Sequence, residues 1–320
     1  MPADPSLAVV DLGSNSFRLL IARVESSLTG RRIVPVGSDK QTVRLARGLR
    51  ADGTLDEDSR QRALAAMTAF ERRLRFFPAN RVRAVATSTL RVASGTERFL
   101  AQAEKALGAP IEIISGRTEA RLIYLGVAHE LPTDGRKRLV IDIGGGSTES
   151  VVGKDHQAIV AASSPVGCVT LSSRHFPGGF VSRDSFEAAR HEARAAFALL
   201  ARRVSAHHPE YAIGTSGTAR SLIRIAQQHW GREALDRHAL AYTRDALTRA
   251  GHPQALELRG LDDDRKPVLA GGLAIMMAAF DAFDIAAMHY CDSALCHGLV
   301  HSLVAEGHRQ LLRPAITQQA

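Results

Sequence analysis

Aromatic residues make up only 5% of this 320-residue chain, and tryptophan occurs once. Its cores must therefore rest on Leu, Ile, Val and Ala. No run approaches the roughly 18 apolar residues of a membrane-spanning helix, so no membrane partner is expected. Residues Met1 to Leu7 hold no basic segment leading into an apolar run, so a cytoplasmic location is expected rather than secretion. The three cysteines, Cys168, Cys291 and Cys296, are too few for a disulfide framework and suit a reducing compartment. No low-complexity linker interrupts the chain.

The length suits two domains, and a hydrophobic content of 45% lets each bury a core. The net charge of +8 is unevenly spread: 20 Lys and Arg face 13 Asp and Glu before residue 124, against 21 and 20 after it. An Arg-rich half suits an anionic partner, and ordinary solubilising charge is an equal reading. Arg44 and Arg47 in that half are candidates for holding a polyanion.

The most informative feature is an approximate repeat. Leu7 to Val24 reads LAVVDLGSNSFRLLIARV, and Arg138 to Gly153 reads RLVIDIGGGSTESVVG. Aligning Asp11 with Asp142 also matches Gly13 with Gly144 and Ser16 with Ser147. Each unit predicts a hairpin with a Gly/Ser-rich turn, and the pair implies two similar domains. Elsewhere helices are predicted over 56–77, 96–107, 183–204, 218–228 and 267–283, with another starting near Thr118. Strands are predicted over 81–87, 111–114 and 211–213. This alternation argues for an α/β protein of open mixed sheets covered by helices. The expected domains are 1–123 and 124–306, with 307–320 as a tail.

Two such turns facing one another would make a polyanion site. Glycine lets backbone N–H groups close on phosphate, and Ser14, Asn15, Ser16, Ser147 and Thr148 add donors. Asp11 and Asp142, at strand ends, are placed to hold Mg²⁺ directly or through water. A third tract, Ile213 to Ser221 (IGTSGTARS), leads a strand into a helix, either as an anion site or as an ordinary turn. Glu119 lies near a helix start, where an acidic residue commonly complements the dipole. The residues His289, Cys291, Cys296, His297 and His301 match no standard zinc spacing, and small buried cysteines with surface histidines are the expected outcome.

The motifs DLGSNSFRLL, ATSTLR, SGRTEARLIYLGV, IDIGGGSTE, SPVGCVTL and GTSGTAR, with the stretch around Arg265, resemble in order and spacing the exopolyphosphatase/guanosine pentaphosphate phosphatase family. The resemblance implies two actin-like domains, each a mixed sheet flanked by helices, around a cleft. It implies that Gly13, Ser14, Asn15 and Ser16, with Gly144, Gly145, Gly146, Ser147 and Thr148, grip terminal phosphates. Glu119 would be the base toward an attacking water, Glu149 would assist with water or metal, and Arg91 would hold a phosphate. Mg²⁺ is the implied cofactor, with ligands from Asp11, Asp142 and Glu149. The implied substrate is inorganic polyphosphate, or alternatively guanosine pentaphosphate (pppGpp), and not a nucleic acid polymer. A sugar-type kinase and a silent polyphosphate or alarmone binder are the remaining alternatives, and a homodimer is a common assembly for such chains. Two stretches depart from the family pattern. Cys291, Cys296 and His297 stand where it has a Ser and an Arg-Glu pair, and Val92 to Gly95 replace a Glu-Ala-x-Asn.

Overall fold

The computed structural model describes residues 6–27 and 30–311. The first half runs β1 (Ser6–Leu12), β2 (Ser16–Ser27), β3 (Gly30–Thr42), α1 (Glu57–Leu74), β4 (Val82–Ala86), α2 (Ser88–Val92), α3 (Glu97–Leu107) and β5 (Ile111–Ile113). Helix α4 (Gly116–Glu130) leads to β6 (Lys137–Ile143), β7 (Thr148–Lys154), β8 (Gln157–Ser164), α5 (Cys168–His175) and α6 (Arg183–Ser205). The chain continues with β9 (Tyr211–Thr215), α7 (Ser216–Trp230), β10 (Leu235–Asp236), α8 (Arg237–Ala250), α9 (Lys266–Ala282), β11 (Ala287–Tyr290) and α10 (Leu295–Leu311).

The repeat is a repeat of topology. The first sheet has the order β3-β2-β1-β4-β5, and the second reads β8-β7-β6-β9-β11-β10. In both, three antiparallel strands are followed by two parallel ones, and the second adds a short antiparallel edge strand. Both quoted segments are hairpins, with Asp11 opposite Arg18 and Asp142 opposite Glu149. Two mixed sheets flanked by helices, built to one plan, make this the duplicated actin-like fold.

Local chemistry explains the helix starts. Asp56 caps α1 by accepting from the Ser59 N–H at 2.7 Å, and Ser115 caps α4 by accepting from Thr118 at 3.1 Å. The predicted acidic start and basic end of α1 are present as Glu57, Asp58, Arg72 and Arg73. One core packs α1 and α3 on the first sheet, and another packs α5 to α9 on the second. A third lies between the sheets. It is built from Val127 of α4 and Leu299 and Val300 of α10 against Val9, Val85, Val140 and Ile213. Each of these side chains contributes about 1.5–3 kcal/mol by leaving water. The expected boundary at 123/124 falls inside α4, and 306/307 falls inside α10. Residues 312–320 of the expected tail lie outside the described residues.

Candidate active site

The two hairpin turns meet at the mouth of a cleft of about 110 Å³ between the sheets. A Cβ on Gly145 would sit 2.8 Å from the Asn15 nitrogen, and one on Gly146 would sit 3.0 Å from Ser14 Oγ. Only glycine admits so close an approach of one turn to the other. Gly13, Ser14, Asn15 and Ser16 line the cleft from the first hairpin, and Gly144 to Ser147 line it from the second. Ser14 Oγ accepts from the Thr89 N–H and hydroxyl at 3.2 and 2.7 Å, which leaves its own proton to donate.

Four carboxyl groups converge here. Glu149 is 2% exposed, Asp142 and Glu119 are 6% exposed, and Asp11 is half-buried. Burial and the neighbouring Asp142 charge push Asp11 and Glu149 up to about 7, Asp11 against Arg18 and Glu149 against the hydroxyls of Ser163 and Ser147. Burial raises Asp142 too, opposed by a 2.7 Å bond from Ser216 Oγ. Glu119 is raised well above the usual carboxylate range by burial and by Glu149, and Arg91 opposes this with a 3.1 Å ion pair.

Not every expected residue reaches the cleft. Thr148 points away and donates its hydroxyl to the Val166 carbonyl at 2.6 Å, so it is no phosphate donor. Arg91 is absent from the cleft lining. Its Nη1 bonds Glu119 and the Ile114 carbonyl, so its guanidinium is engaged with the Glu119 carboxylate rather than facing the cleft. The third tract does reach the cleft through Ser216 and Gly217. Sequence reasoning missed Arg18, Lys40 and Ser163, and gave Ser216, within the third tract, and Arg265 no role of their own. Arg18 had a signal: it occupies in the first hairpin the place of Glu149 in the second. Lys40 reaches across from β3 to Asp264 at 3.2 Å, an ion pair joining the two halves at the cleft.

Among the described residues, no three His, Cys, Asp or Glu side chains stand close enough to hold a metal ion. Asp11, Asp142 and Glu149 therefore form no three-carboxylate cage. The Cys291–His301 segment makes no metal site either: its cysteines are buried and free. The residues nevertheless fit a hard cation. Asp11 Oδ1 is buried without a partner, and five acids line the cleft (Asp292 is the fifth) against Arg18, Lys40 and Arg265. A polyanion entering that field needs added positive charge, and Mg²⁺ binds through one or two carboxylates plus water and phosphate.

Comparisons with known proteins give the family. The sequence profile of the Ppx/GppA phosphatase family matches residues 20–306. A Haemophilus influenzae protein provisionally named an exopolyphosphatase is 37% identical over 298 residues, 93% of this chain and 91% of that protein. The crystal structure of an exopolyphosphatase from Cytophaga hutchinsonii superposes with a TM-score of 0.84 at 23% identity, covering 94% of this chain and 98% of the other. An Aquifex aeolicus member of the Ppx/GppA family gives 0.73 at 23% identity, covering 95% and 99%. With a duplicated fold, facing glycine turns and carboxylates gathered between them, this chain belongs to the Ppx/GppA phosphatase family.

Proposed function

We propose that this chain is a Mg²⁺-dependent exopolyphosphatase, releasing orthophosphate from the end of inorganic polyphosphate. The observation that carries the reading is the convergence of both turns and Glu119 on one cleft. The turn N–H groups, Ser14 and Ser147 would bind the terminal phosphoryl oxygens, and Arg18 and Arg265 would offset charge beyond them. Glu119 would accept a proton from water at its free oxygen, Arg91 keeping the other oxygen fixed. A base pushed above the usual carboxylate range lies nearer the operating pH, where proton transfer is most effective. Bound Mg²⁺ supplies neutralisation of charge on the phosphoryl oxygens. The reaction needs this neutralisation and an in-line water more than covalent help.

We place the enzyme in the cytoplasm, in keeping with three free, buried cysteines. Among the described residues no helix is long and apolar enough to cross a membrane. We take the first domain to end in α4 and the second near the end of α10, the two helices that cross between the sheets. Guanosine pentaphosphate hydrolysis is the competing reading, since the same cleft would accept its terminal phosphate. Orthophosphate release from tripolyphosphate, long-chain polyphosphate and pppGpp, each with and without Mg²⁺, separates the two. The proposal expects Mg²⁺-dependent release that is fastest from polyphosphate. Release from pppGpp alone, or release indifferent to Mg²⁺, would overturn it.

A further inference from the structure

The two sheets carry matching rows of side chains. In the first, Asp11 of β1 stands opposite Arg18 of β2, and Arg18 stands opposite Lys40 of β3. In the second, Asp142 of β6 stands opposite Glu149 of β7, and Glu149 stands opposite Ser163 of β8. Five of these six residues line the cleft, and half-buried Ser163 lies behind it. Where the first sheet places a cation beside Arg18, the second places a neutral hydroxyl beside Glu149.

Ser163 Oγ donates to Glu149 Oε1 at 2.7 Å. Glu149 is buried directly opposite Asp142, and like charges opposed across a strand pair repel one another. A lysine at position 163, as at 40, would offset that repulsion with an ion pair. Serine orients the carboxylate without supplying a counter-charge, which leaves that part to a bound cation. The contact is closely packed. A Cβ on Gly116, the first residue of α4, would sit 2.5 Å from Ser163 Cβ and 3.4 Å from Arg91 Nη2. Ser163 is therefore wedged between Glu149 and the helix start that carries Glu119. Each glutamate is fixed at one oxygen by its own donor, Glu119 by the Arg91 cation and Glu149 by this hydroxyl.

We propose that Ser163 is a positioning residue of the active site: from behind the cleft it fixes one oxygen of Glu149 and leaves the other free to meet a divalent cation beside Asp142. This rests on the Mg²⁺-dependent reading above. The cation class follows from the donors, since a pair of carboxylate oxygens suits a hard ion that keeps water and phosphate as its other ligands. Ser163 touches neither the reacting phosphate nor the water, and acts only through Glu149.

The test uses the full chain with Ser163→Ala, Glu149→Gln and the two together. One readout is the Mg²⁺ concentration that half-saturates the rise in thermal midpoint without substrate, and the midpoint without Mg²⁺ controls for folding. The others are kcat and KM for polyphosphate at a fixed Mg²⁺ concentration, and the single-turnover rate. Ser163→Ala should raise the half-saturating Mg²⁺ by about 10-fold, the usual order when a metal ligand loses its supporting hydrogen bond. It should lower kcat by roughly 10-fold and change KM by less than about twofold. In the Glu149→Gln background the same substitution should change the single-turnover rate by less than about twofold, because the two residues act as one unit. A folded Ser163→Ala with the wild-type Mg²⁺ response would overturn the proposal. So would an equal loss on top of Glu149→Gln, the mark of a merely structural serine. A wild type that releases nothing from polyphosphate would overturn the functional reading alone, since the Mg²⁺ titration needs no turnover and still decides on Ser163.

Discussion

Ser216 shows how much of the site is set by single residues. It opens α7 with φ 63°, a value that suits glycine, and its hydroxyl reaches Asp142 at 2.7 Å. Ser216→Gly should relieve backbone strain and raise the thermal midpoint, by about 1 kcal/mol in stability. It should also weaken the Mg²⁺-induced shift in that midpoint, raising the half-saturating Mg²⁺ by roughly 10-fold, because Asp142 loses its orienting partner. Ser216→Ala should lose the same Mg²⁺ response without the gain in stability. An unchanged Mg²⁺ response in both variants would remove Ser216 from the support of Asp142. Neither the strain nor the bond can be read from GTSGTAR alone, because both arise from the meeting of β9 with β6. Thr148 is the opposite case. In a strand, alternate side chains point to opposite faces, so Ser147 and Glu149 in the cleft already direct Thr148 away from it. Arg91 and Glu119 were each singled out in the sequence, but their pairing across 28 positions was not legible there.

At the scale of elements, α4 and α10 tie chemistry to packing. Glu119 sits in the first turn of α4, and Leu295, Cys296 and His297 at the start of α10 line the cleft. Further along, the His129 and His301 rings stack at 3.6 Å between centroids, and His156, from the β7–β8 turn, lies 4.5 Å from His129. Burial and the neighbouring histidines 129, 297 and 156 lower His301 to about 4. Asp155, Glu130 and Asp292 act in the other direction on His156 or His297, and Arg138 lowers His156. Below about pH 6.5 the unfolded chain therefore takes up protons that the folded His301 refuses. Its contribution is present above that pH and is lost as pH falls toward about 4. Urea unfolding should show a loss on the order of 1–2 kcal/mol across that window, allowing for partial exposure, and His301→Gln should flatten it. An identical slope in the variant would contradict the assignment. Helices α1, α3 and α6 were legible in the sequence, with acidic residues in the first turn and basic ones in the last, α9 was legible as an apolar run that is buried almost throughout, and both hairpins were legible from their repeat. Strand β3 was not: between Arg32 and Thr42 its side chains are exposed or only half-buried, and Pro35 interrupts the run. The histidine stack was not either, since its members come from three separate elements.

For the whole molecule, duplication has produced two hairpins with different jobs. Aligned on their aspartates, one presents Arg18 and the other Glu149 to the cleft from equivalent positions. The repeat made the duplicated fold legible, but the six-stranded second sheet and the close contact of the turns depend on long-range packing. In the function proposed above, catalysis rests on Glu119, placed by α4 between the two halves. Single-turnover orthophosphate release from polyphosphate by Glu119→Gln, in Mg²⁺ and beside the wild type, tests this most directly. The predicted result is a rate lower by about 10²–10⁴ with polyphosphate binding retained, the usual loss when a general base is removed. A rate close to wild type would contradict it.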